Sequence, residues 1–152
     1  MVELELDSPQ ATEQFGARLA NLAKPGSVLY LRGDLGTGKT TLVRGFLRSL
    51  GHSGAVKSPS YTLLETYELA NRLVLHCDLY RLADAEELEF LGLRDFLDDK
   101  TVLLVEWPER GAALLPPADL EISLAYSDRG RHCCVRATSA QGKGVFLENL
   151  SN

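Results

Sequence analysis

Gly33-Asp34-Leu35-Gly36-Thr37-Gly38-Lys39-Thr40 decides the fold, because its spacing of glycine, glycine, lysine and threonine is that of a phosphate-binding loop. The apolar run at 27–31 leads into it as a buried strand would. Residues 41–50 follow it with helical spacing and stop at Gly51. Strand, loop and helix in this order are the setting that such a loop requires. The sequence therefore predicts a site for a nucleoside triphosphate.

The residue types in this loop suit the recognition of phosphate. Glycines allow a tight turn and bring backbone amides close to phosphate oxygens, at a helix N-terminus that favours negative charge. Lys39 can reach the outer phosphates, and the Thr40 hydroxyl is the expected magnesium ligand. The predicted nucleotide contacts are Asp34, Leu35, Gly36, Thr37, Gly38, Lys39, Thr40 and Thr41. The alternative is a glycine-rich strand-to-helix turn with an exposed lysine.

Length and composition limit the classes of protein to which the chain can belong. Its 152 residues, 45% of them apolar, fit a single domain over 1–152. A net charge of -5 argues against a free-standing nucleic-acid binder, so we expect any connection with RNA to be indirect. The chain shows no apolar run of membrane-span length and no signal sequence, which predicts a cytoplasmic protein. The three cysteines, two of them adjacent, are expected to be reduced thiols.

The rest of the chain divides into short periodic segments. We predict an edge strand at 2–6 and a helix from the Ser8 cap and Pro9 to about Ala23. Hairpin strands are expected at 61–69 and 73–79, joined by Ala70-Asn71-Arg72, and then a short acidic helix that Asp84 caps and that ends at Gly92. A buried strand at 100–105 and a second hairpin, 120–124 with 133–137 and a turn at 127–130, complete the chain. Helices and strands thus alternate along the chain around the phosphate-binding loop.

An acid at the end of a buried strand is the best candidate for a second metal ligand. Glu106 follows four apolar residues and precedes Trp107-Pro108, which ends the strand. This is the place of a Walker B carboxylate, which holds magnesium in phosphate-loop enzymes. The alternative is a strand-terminal glutamate that faces solvent. We predict a metal-binding and catalytic role for Glu106 and an accessory role for Trp107.

The segment His76-Cys77-Asp78-Leu79-Tyr80-Arg81 carries several functional groups on one face. Side chains two residues apart point the same way in an extended chain, which groups His76, Asp78 and Tyr80. If that face looks at the phosphate loop, Asp78 can position water and Arg81 can contact charge. Alternatively, the group forms a buried structural network. We predict a catalytic role for Asp78 and accessory roles for Tyr80 and Arg81.

A hydroxyl-rich loop lies between the phosphate loop and these acids. Lys57-Ser58-Pro59-Ser60-Tyr61-Thr62 stands at the distance along the chain where switch segments often occur. Ser58 and Ser60 are its candidate functional groups. The alternative is a loop that simply leads into a strand.

Five segments in this order resemble the TsaE family, also known as YjeE, the small ATPase component of bacterial tRNA threonylcarbamoyladenosine synthesis. They are 33–41, 58–63, 76–81, 86–90 and 105–108, and the resemblance covers nearly the whole chain. It implies an α/β fold, a P-loop NTPase-like three-layer sandwich with a mixed central sheet. It also implies ATP and magnesium as cofactors, with Lys39 and Thr40 on phosphate and metal, Glu106 helping to hold magnesium, and Asp78 needed for hydrolysis.

The resemblance further implies two protein partners, TsaB and TsaD. In that system TsaD, with TsaB, transfers a threonylcarbamoyl group to adenosine 37 of tRNA, and the ATPase supports repeated turnover. The family also bounds the adenine with its N-terminal segment and late hairpin, which implies contacts from Pro9 and Gly130. The chain has Thr37 where alanine is usual, Ser60 where threonine is usual, and Cys77 where phenylalanine is commoner. None of these departures removes a reactive group.

The resulting hypothesis is slow ATP hydrolysis that increases when partners bind. Two other classes stay open at this point. A small-molecule kinase would share the loop but would normally add an arginine-rich lid, and no such cluster is visible. A binding module could use ATP only to order a docking surface. The chain has no Asn-Lys-x-Asp segment to read guanine, and the preference for ATP otherwise follows from the resemblance.

Overall fold

The computed structural model describes residues 1–69 and 72–150. Its strands are β1 (Val2–Leu6), β2 (Val28–Arg32), β3 (Leu64–Leu69), β4 (Arg72–Asp78), β5 (Thr101–Glu106), β6 (Leu120–Ser127) and β7 (Gly130–Ala137). Its helices are α1 (Pro9–Leu22), α2 (Lys39–Ser49), α3 (Glu86–Phe90), α4 (Leu93–Phe96) and α5 (Glu148–Leu150), with 3-10 turns at Pro108–Arg110 and Ala112–Leu114 and a π-helical segment at Gly142–Leu147.

Within the described residues, the seven strands form one mixed sheet in the order β1-β7-β6-β2-β5-β4-β3. The central pairs β2–β5, β2–β6 and β4–β5 are parallel, whereas β1–β7, β6–β7 and β3–β4 are antiparallel. Parallel strands β2, β4 and β5 therefore end at the same edge of the sheet. The segments that follow these three strands therefore lie close together at that edge of the sheet.

Two apolar clusters, one on each face of the sheet, make the fold a three-layer sandwich. On one face the strands pack against α1, α2 and the C-terminal helical segment, through residues such as Phe15, Phe46 and Phe146. On the other face they pack against the short helices, through residues such as Leu88 and Leu93. The predicted α/β fold with a mixed central sheet is confirmed. None of the helices at 1–69 and 72–150 combines the length and the apolar character that a membrane crossing needs.

Most predicted elements lie within two residues of their expected bounds. Ser8 caps α1, since its Oγ accepts from the Ala11 backbone amide at 3.1 Å, and Pro9 is the first helical residue as predicted. The helix after the phosphate loop begins at Lys39, two residues earlier than predicted, because the loop glycines complete the turn before it. The predicted turn residues Ala70 and Asn71 lie outside the described residues.

The predicted start of the first hairpin strand is wrong. Strand β3 begins at Leu64 rather than Tyr61, because Leu63 has φ 69°, a left-handed conformation that interrupts an extended chain. The acidic helix spans Glu86–Phe90, and the Asp84 carboxylate before it accepts from the Glu86 amide at 3.0 Å, which is the predicted capping contact. The helix ends two residues before the predicted Gly92, which lies just before α4.

Helices α1 and α2 touch through their backbones. A Cβ added to Gly45 would lie 2.0 Å from the Glu13 carbonyl oxygen, and one added to Gly16 would lie 2.1 Å from the Leu42 carbonyl oxygen. Both distances are far shorter than any van der Waals contact, so the two helices would have to separate. The glycines therefore set the distance between the helices and, with it, the position of the phosphate loop at the start of α2.

We expect Gly45→Ala to destabilise the protein. Overpacking typically costs about 1–3 kcal/mol, and a clash with backbone leaves little room to relax. For a chain of this size that loss lowers the melting temperature by about 2–4 °C per kcal/mol. Gly144→Ala is the control, since nothing lies within 4 Å of its added Cβ. Calorimetry that gives both variants the same melting temperature would contradict the close approach.

Candidate functional site

The predicted site residues meet at the edge where β2, β4 and β5 end. A cavity of about 440 Å³ opens there, beside the N-terminus of α2. Its lining comes from the phosphate loop, the 58–60 loop and the ends of β4 and β5: Leu35, Gly36, Gly38, Lys39, Thr40, Thr41, Ser58, Ser60, Asp78, Tyr80, Arg81, Glu106 and Trp107. Clefts at the carboxyl ends of strands are the usual binding sites of open α/β sheets.

The phosphate loop has the backbone shape that its glycines allow. Gly36 and Gly38 have φ 80° and 107°, in the left-handed region, and Gly38 immediately precedes α2. A side chain at either position would strain the loop. The Asp34 carbonyl accepts from the Thr37 amide at 3.3 Å and from the Thr37 hydroxyl at 2.9 Å, which closes the turn. The side chain of Asp34 is exposed and lines neither this cavity nor the one described below.

Lys39 lies folded into the loop, with its side chain buried. Its ammonium group donates to the Gly33 carbonyl, lies 3.4 Å from the Asp34 carbonyl oxygen, and sits 4.0 Å from the centroid of the Trp107 ring. Burial lowers the pKa of Lys39, while the charges of Glu106 and Asp78 act to raise it. The alternative of a glycine-rich turn with an exposed lysine is wrong, because Lys39 is only 5% exposed.

Glu106 is buried at the end of β5 and faces the phosphate loop. Its carboxylate accepts from the Thr40 hydroxyl at 3.2 Å and lies 2.7 Å from Nε2 of His76. Only 3% of Glu106 is exposed, so the alternative of a solvent-facing glutamate is wrong. A hydroxyl and a carboxylate are both oxygen ligands of the type that magnesium prefers. The predicted metal pair, Thr40 and Glu106, is therefore brought together.

Asp78 lies beside Glu106, because their strands pair in parallel with these two residues in register. Its Oδ2 accepts from the Ser58 hydroxyl, and its Oδ1 accepts from the Tyr80 amide at 3.0 Å. The carboxylate is thus oriented by the 57–62 loop and by its own strand end. Both candidate hydroxyl groups of the 57–62 loop therefore lie at the site, since Ser60 lines the same cavity. Cys77 belongs to the apolar cluster on the opposite face of the sheet.

Aromatic rings and arginines form the outer rim of the cavity. Tyr80 and Trp107 lie 5.0 Å apart between ring centroids, and Arg110 lies 5.4 Å from the Tyr80 centroid. Arg81 lies 4.4 Å from the centroid of Tyr61, so in this structure it contacts a ring rather than a carboxylate. Trp107 adopts φ 58°, which turns the chain sharply at the end of β5 and holds its ring over the cavity.

A second cavity adjoins the phosphate loop on its other side. It has a volume of about 160 Å³ and shares Gly36, Gly38 and Thr41 with the first. Pro9 and Gly130 both line it, together with Leu6, Asp7, Ser8, Thr12, Thr37 and Arg131. The N-terminal segment and the late hairpin are therefore neighbours here. That this cavity receives the base stays a prediction.

Sequence reasoning missed two residues that hold the outside of the phosphate loop. The Tyr126 hydroxyl donates to the Leu35 carbonyl at 2.6 Å. Arg131 donates from Nε to the Thr37 carbonyl at 3.0 Å and from Nη2 to the Gly36 carbonyl at 3.3 Å. Both come from the β6–β7 hairpin, more than ninety residues after the loop residues that they contact. No spacing signal in the sequence connects them with the loop.

We expect Arg131→Gln to weaken nucleotide binding about tenfold. Arg131 fixes carbonyls of the loop and adds positive charge next to it, and hydrogen bonds from charged groups are worth about 1.5–3 kcal/mol. The matched control is Arg129→Gln, which makes the same change at an exposed position of the hairpin turn. Titration calorimetry with ATP measures both. Equal affinities for the two variants would show that the contact does not support the loop.

Comparisons with known proteins place the chain in one family. The family model described as threonylcarbamoyl adenosine biosynthesis protein TsaE matches residues 6–133. A TsaE protein of Haemophilus influenzae is 44% identical over 138 residues, which cover 88% of this chain and 87% of that protein. A TsaE protein of Bacillus subtilis is 40% identical over 115 residues, covering 76% of this chain and 72% of that protein.

A solved structure shows the same fold. The crystal structure of YdiB from Bacillus subtilis superposes with a TM-score of 0.83 at 31% sequence identity, covering 99% of this chain and 93% of YdiB. The family model spans most of the chain, and relatives above 30% identity align over most of their own lengths. The resemblance inferred from the five sequence segments is confirmed: this chain belongs to the TsaE family.

Proposed function

We propose that this chain binds ATP with magnesium and hydrolyses it slowly, in support of tRNA threonylcarbamoyladenosine synthesis by TsaB and TsaD. One observation carries the proposal. A single cavity at the ends of the parallel strands is lined by Lys39, Thr40, Asp78 and Glu106. The names of the family and of its relatives support the biosynthetic role. The cavity supports the chemistry.

Binding of the triphosphate rests on the loop. Its backbone amides and the start of α2 offer a site for phosphate, and Lys39 supplies a positive charge beside it. Because the Lys39 ammonium now contacts carbonyls of the loop, arriving phosphate oxygens can replace those carbonyls with stronger, charged acceptors. Tyr126 and Arg131 keep the outer carbonyls of the loop occupied, so that its shape persists while Lys39 changes partner.

Magnesium fits the donor set at Thr40 and Glu106. This ion keeps several waters and is usually held by one or two protein oxygens together with substrate phosphates. Within the described residues, no cluster of three or more His, Cys, Asp or Glu is placed to bind a metal without a nucleotide. The Thr40 hydroxyl and the Glu106 carboxylate would hold the ion, whose charge stabilises negative charge on the phosphates.

Asp78 is the group available to act on water. It lies in the same cavity, next to Glu106, with one oxygen accepting from the Ser58 hydroxyl. A carboxylate fixed in this way can orient a water molecule and accept its proton. Since Ser58 belongs to the 57–62 loop, a partner that moves this loop would change the position of Asp78. This connection supports hydrolysis that is slow alone and faster in a complex.

Two alternative functions lack a supporting observation of this kind. A small-molecule kinase would need an acceptor site next to the phosphates, and nothing in the described lining of the cavity points to a particular acceptor. In a binding module without hydrolysis, the Asp78–Ser58 contact would be structural, and the protein would release no phosphate even with its partners. We further propose that the protein works in the cytoplasm and that it meets tRNA only through its partners.

The experiment that tests the biosynthetic role is repeated modification of tRNA in a reconstituted system. TsaB, TsaD and the substrates of the transfer are supplied with unmodified tRNA, with and without this chain and ATP. We expect the modified tRNA to exceed one equivalent per TsaB–TsaD complex only when both this chain and ATP are present. The proposed support role would be contradicted if the product exceeded one equivalent without this chain. It would also be contradicted if the product stopped at one equivalent with this chain and ATP present.

A further inference from the structure

His76 lies buried in β4 against the candidate metal ligand Glu106. Its Nε2 is 2.7 Å from Oε2 of Glu106, and the two side chains are 0% and 3% exposed. Because a carboxylate accepts hydrogen bonds, we assign the hydrogen to Nε2, which donates it to Glu106. The same carboxylate also accepts from the Thr40 hydroxyl. Glu106 is thus held between the first turn of α2 and the strand next to its own.

Packing alone does not explain a histidine at this position. Val74, two residues earlier on the same face, and Leu104, its register partner in β5, are both apolar and fully buried. Within the described residues, Nδ1 of His76 is the one buried side-chain nitrogen or oxygen that has no hydrogen-bond partner. Burying a polar atom without a partner costs stability. A leucine or valine would avoid that cost, and so the contact with Glu106 is what the histidine provides.

A glutamate that binds a metal needs its carboxylate held in one orientation. The last torsion of a glutamate side chain has broad preferences, so rotamer preference alone does not fix the direction of its two oxygens. A hydrogen bond to one oxygen fixes that torsion. Metal-binding carboxylates are commonly oriented by such hydrogen bonds, and loss of the orienting partner typically weakens metal binding about 10- to 100-fold.

We infer that His76 is a positioning residue that orients the Glu106 carboxylate for magnesium, an inference that rests on the proposed magnesium-dependent nucleotide site. His76 touches neither phosphate nor metal in this role. It affects nucleotide affinity only through the bound magnesium ion. Removing the Nε2 donor will therefore weaken the effect of magnesium on nucleotide affinity and leave the affinity without magnesium unchanged.

The test compares His76→Gln with His76→Asn. The glutamine amide nitrogen reaches about as far along the side chain as Nε2, whereas the asparagine amide ends near the place of Nδ1. The two variants have the same chemistry and differ by one methylene group. Titration calorimetry with a non-hydrolysable ATP analogue is carried out in EDTA and in magnesium chloride. The ratio of the two dissociation constants gives the effect of magnesium on affinity. Circular dichroism checks that each variant is folded.

We expect the magnesium effect to be retained in His76→Gln and reduced about tenfold or more in His76→Asn. All three proteins should bind the analogue equally in EDTA. A magnesium effect in His76→Asn equal to that of the wild type would overturn the inference while leaving the proposed function intact. A wild-type protein whose affinity is insensitive to magnesium would instead overturn the magnesium site itself, and the inference with it. If His76→Asn is unfolded, a loss of the magnesium effect in the folded His76→Gln protein would overturn the proposed donor role, and its retention would support it.

Discussion

Lys39→Ala will abolish measurable ATP binding. Lys39 is the one loop side chain whose positive charge lies inside the cavity, buried under Trp107 and next to two carboxylates. With the lysine gone, no buried ammonium group would offset the repulsion between the phosphates and the Asp78 and Glu106 carboxylates. We expect the dissociation constant to rise at least about 100-fold, which corresponds to about 2.7 kcal/mol and to the strength of hydrogen bonds that involve a charged group.

The control for this variant is Lys57→Ala, which makes the same change of charge at an exposed position of the 57–62 loop. Titration calorimetry with ATP and magnesium measures both variants, and a thermal melt confirms that each is folded. We expect Lys57→Ala to bind within about threefold of the wild type, as exposed charges contribute little. Binding by Lys39→Ala at wild-type affinity would show that the phosphates bind elsewhere.

Replacing Asp78 will separate binding from hydrolysis. Asp78→Asn keeps the size of the side chain and an oxygen for the Tyr80 amide, but it removes the charge that would take a proton from water. We expect ATP affinity within about threefold of the wild type. Turnover should fall at least about 100-fold, the range reported for loss of a positioned acid or base. Asp78→Ala should lose turnover to the same extent.

Asp128→Asn is the matched control, because it changes the same charge at the exposed β6–β7 turn. Single-turnover phosphate release with saturating ATP measures the hydrolytic step, and equilibrium binding is measured on the same preparations. Normal turnover in Asp78→Asn would remove Asp78 from the catalytic assignment. Lost affinity together with lost turnover would mean that the residue supports the site rather than the reaction.

The order of strands and helices and much of the site could be predicted from the sequence. The phosphate loop is a local pattern, and the placement of Glu106 follows from an apolar run that ends in an acid. The shared face of His76 and Asp78 follows from strand periodicity. The pattern could not predict the partner of each group. The pairing of β4 with β5 places Asp78 beside Glu106 and brings His76 into contact with it.

Features that depend on contacts distant in the chain could not be predicted. Tyr126 and Arg131 reach the phosphate loop from a hairpin that looks like ordinary sheet in the sequence. The contact of α1 with α2 at Gly45 depends on how the two helices cross rather than on their own periodicity. The C-terminal segment at 142–150 carried no prediction, yet Phe146 is fully buried in the cluster against α1 and α2.

The most direct test of the central claim is phosphate release from ATP with magnesium, measured for the chain alone and then with purified TsaB and TsaD. The wild type and Asp78→Ala are compared in each mixture, and TsaB with TsaD alone gives the background. We expect slow release by the wild-type chain, faster release when both partners are added, and background release for Asp78→Ala throughout. Release at background level in every mixture, from a chain that still binds ATP, would contradict the account and leave a nucleotide-binding protein without ATPase activity.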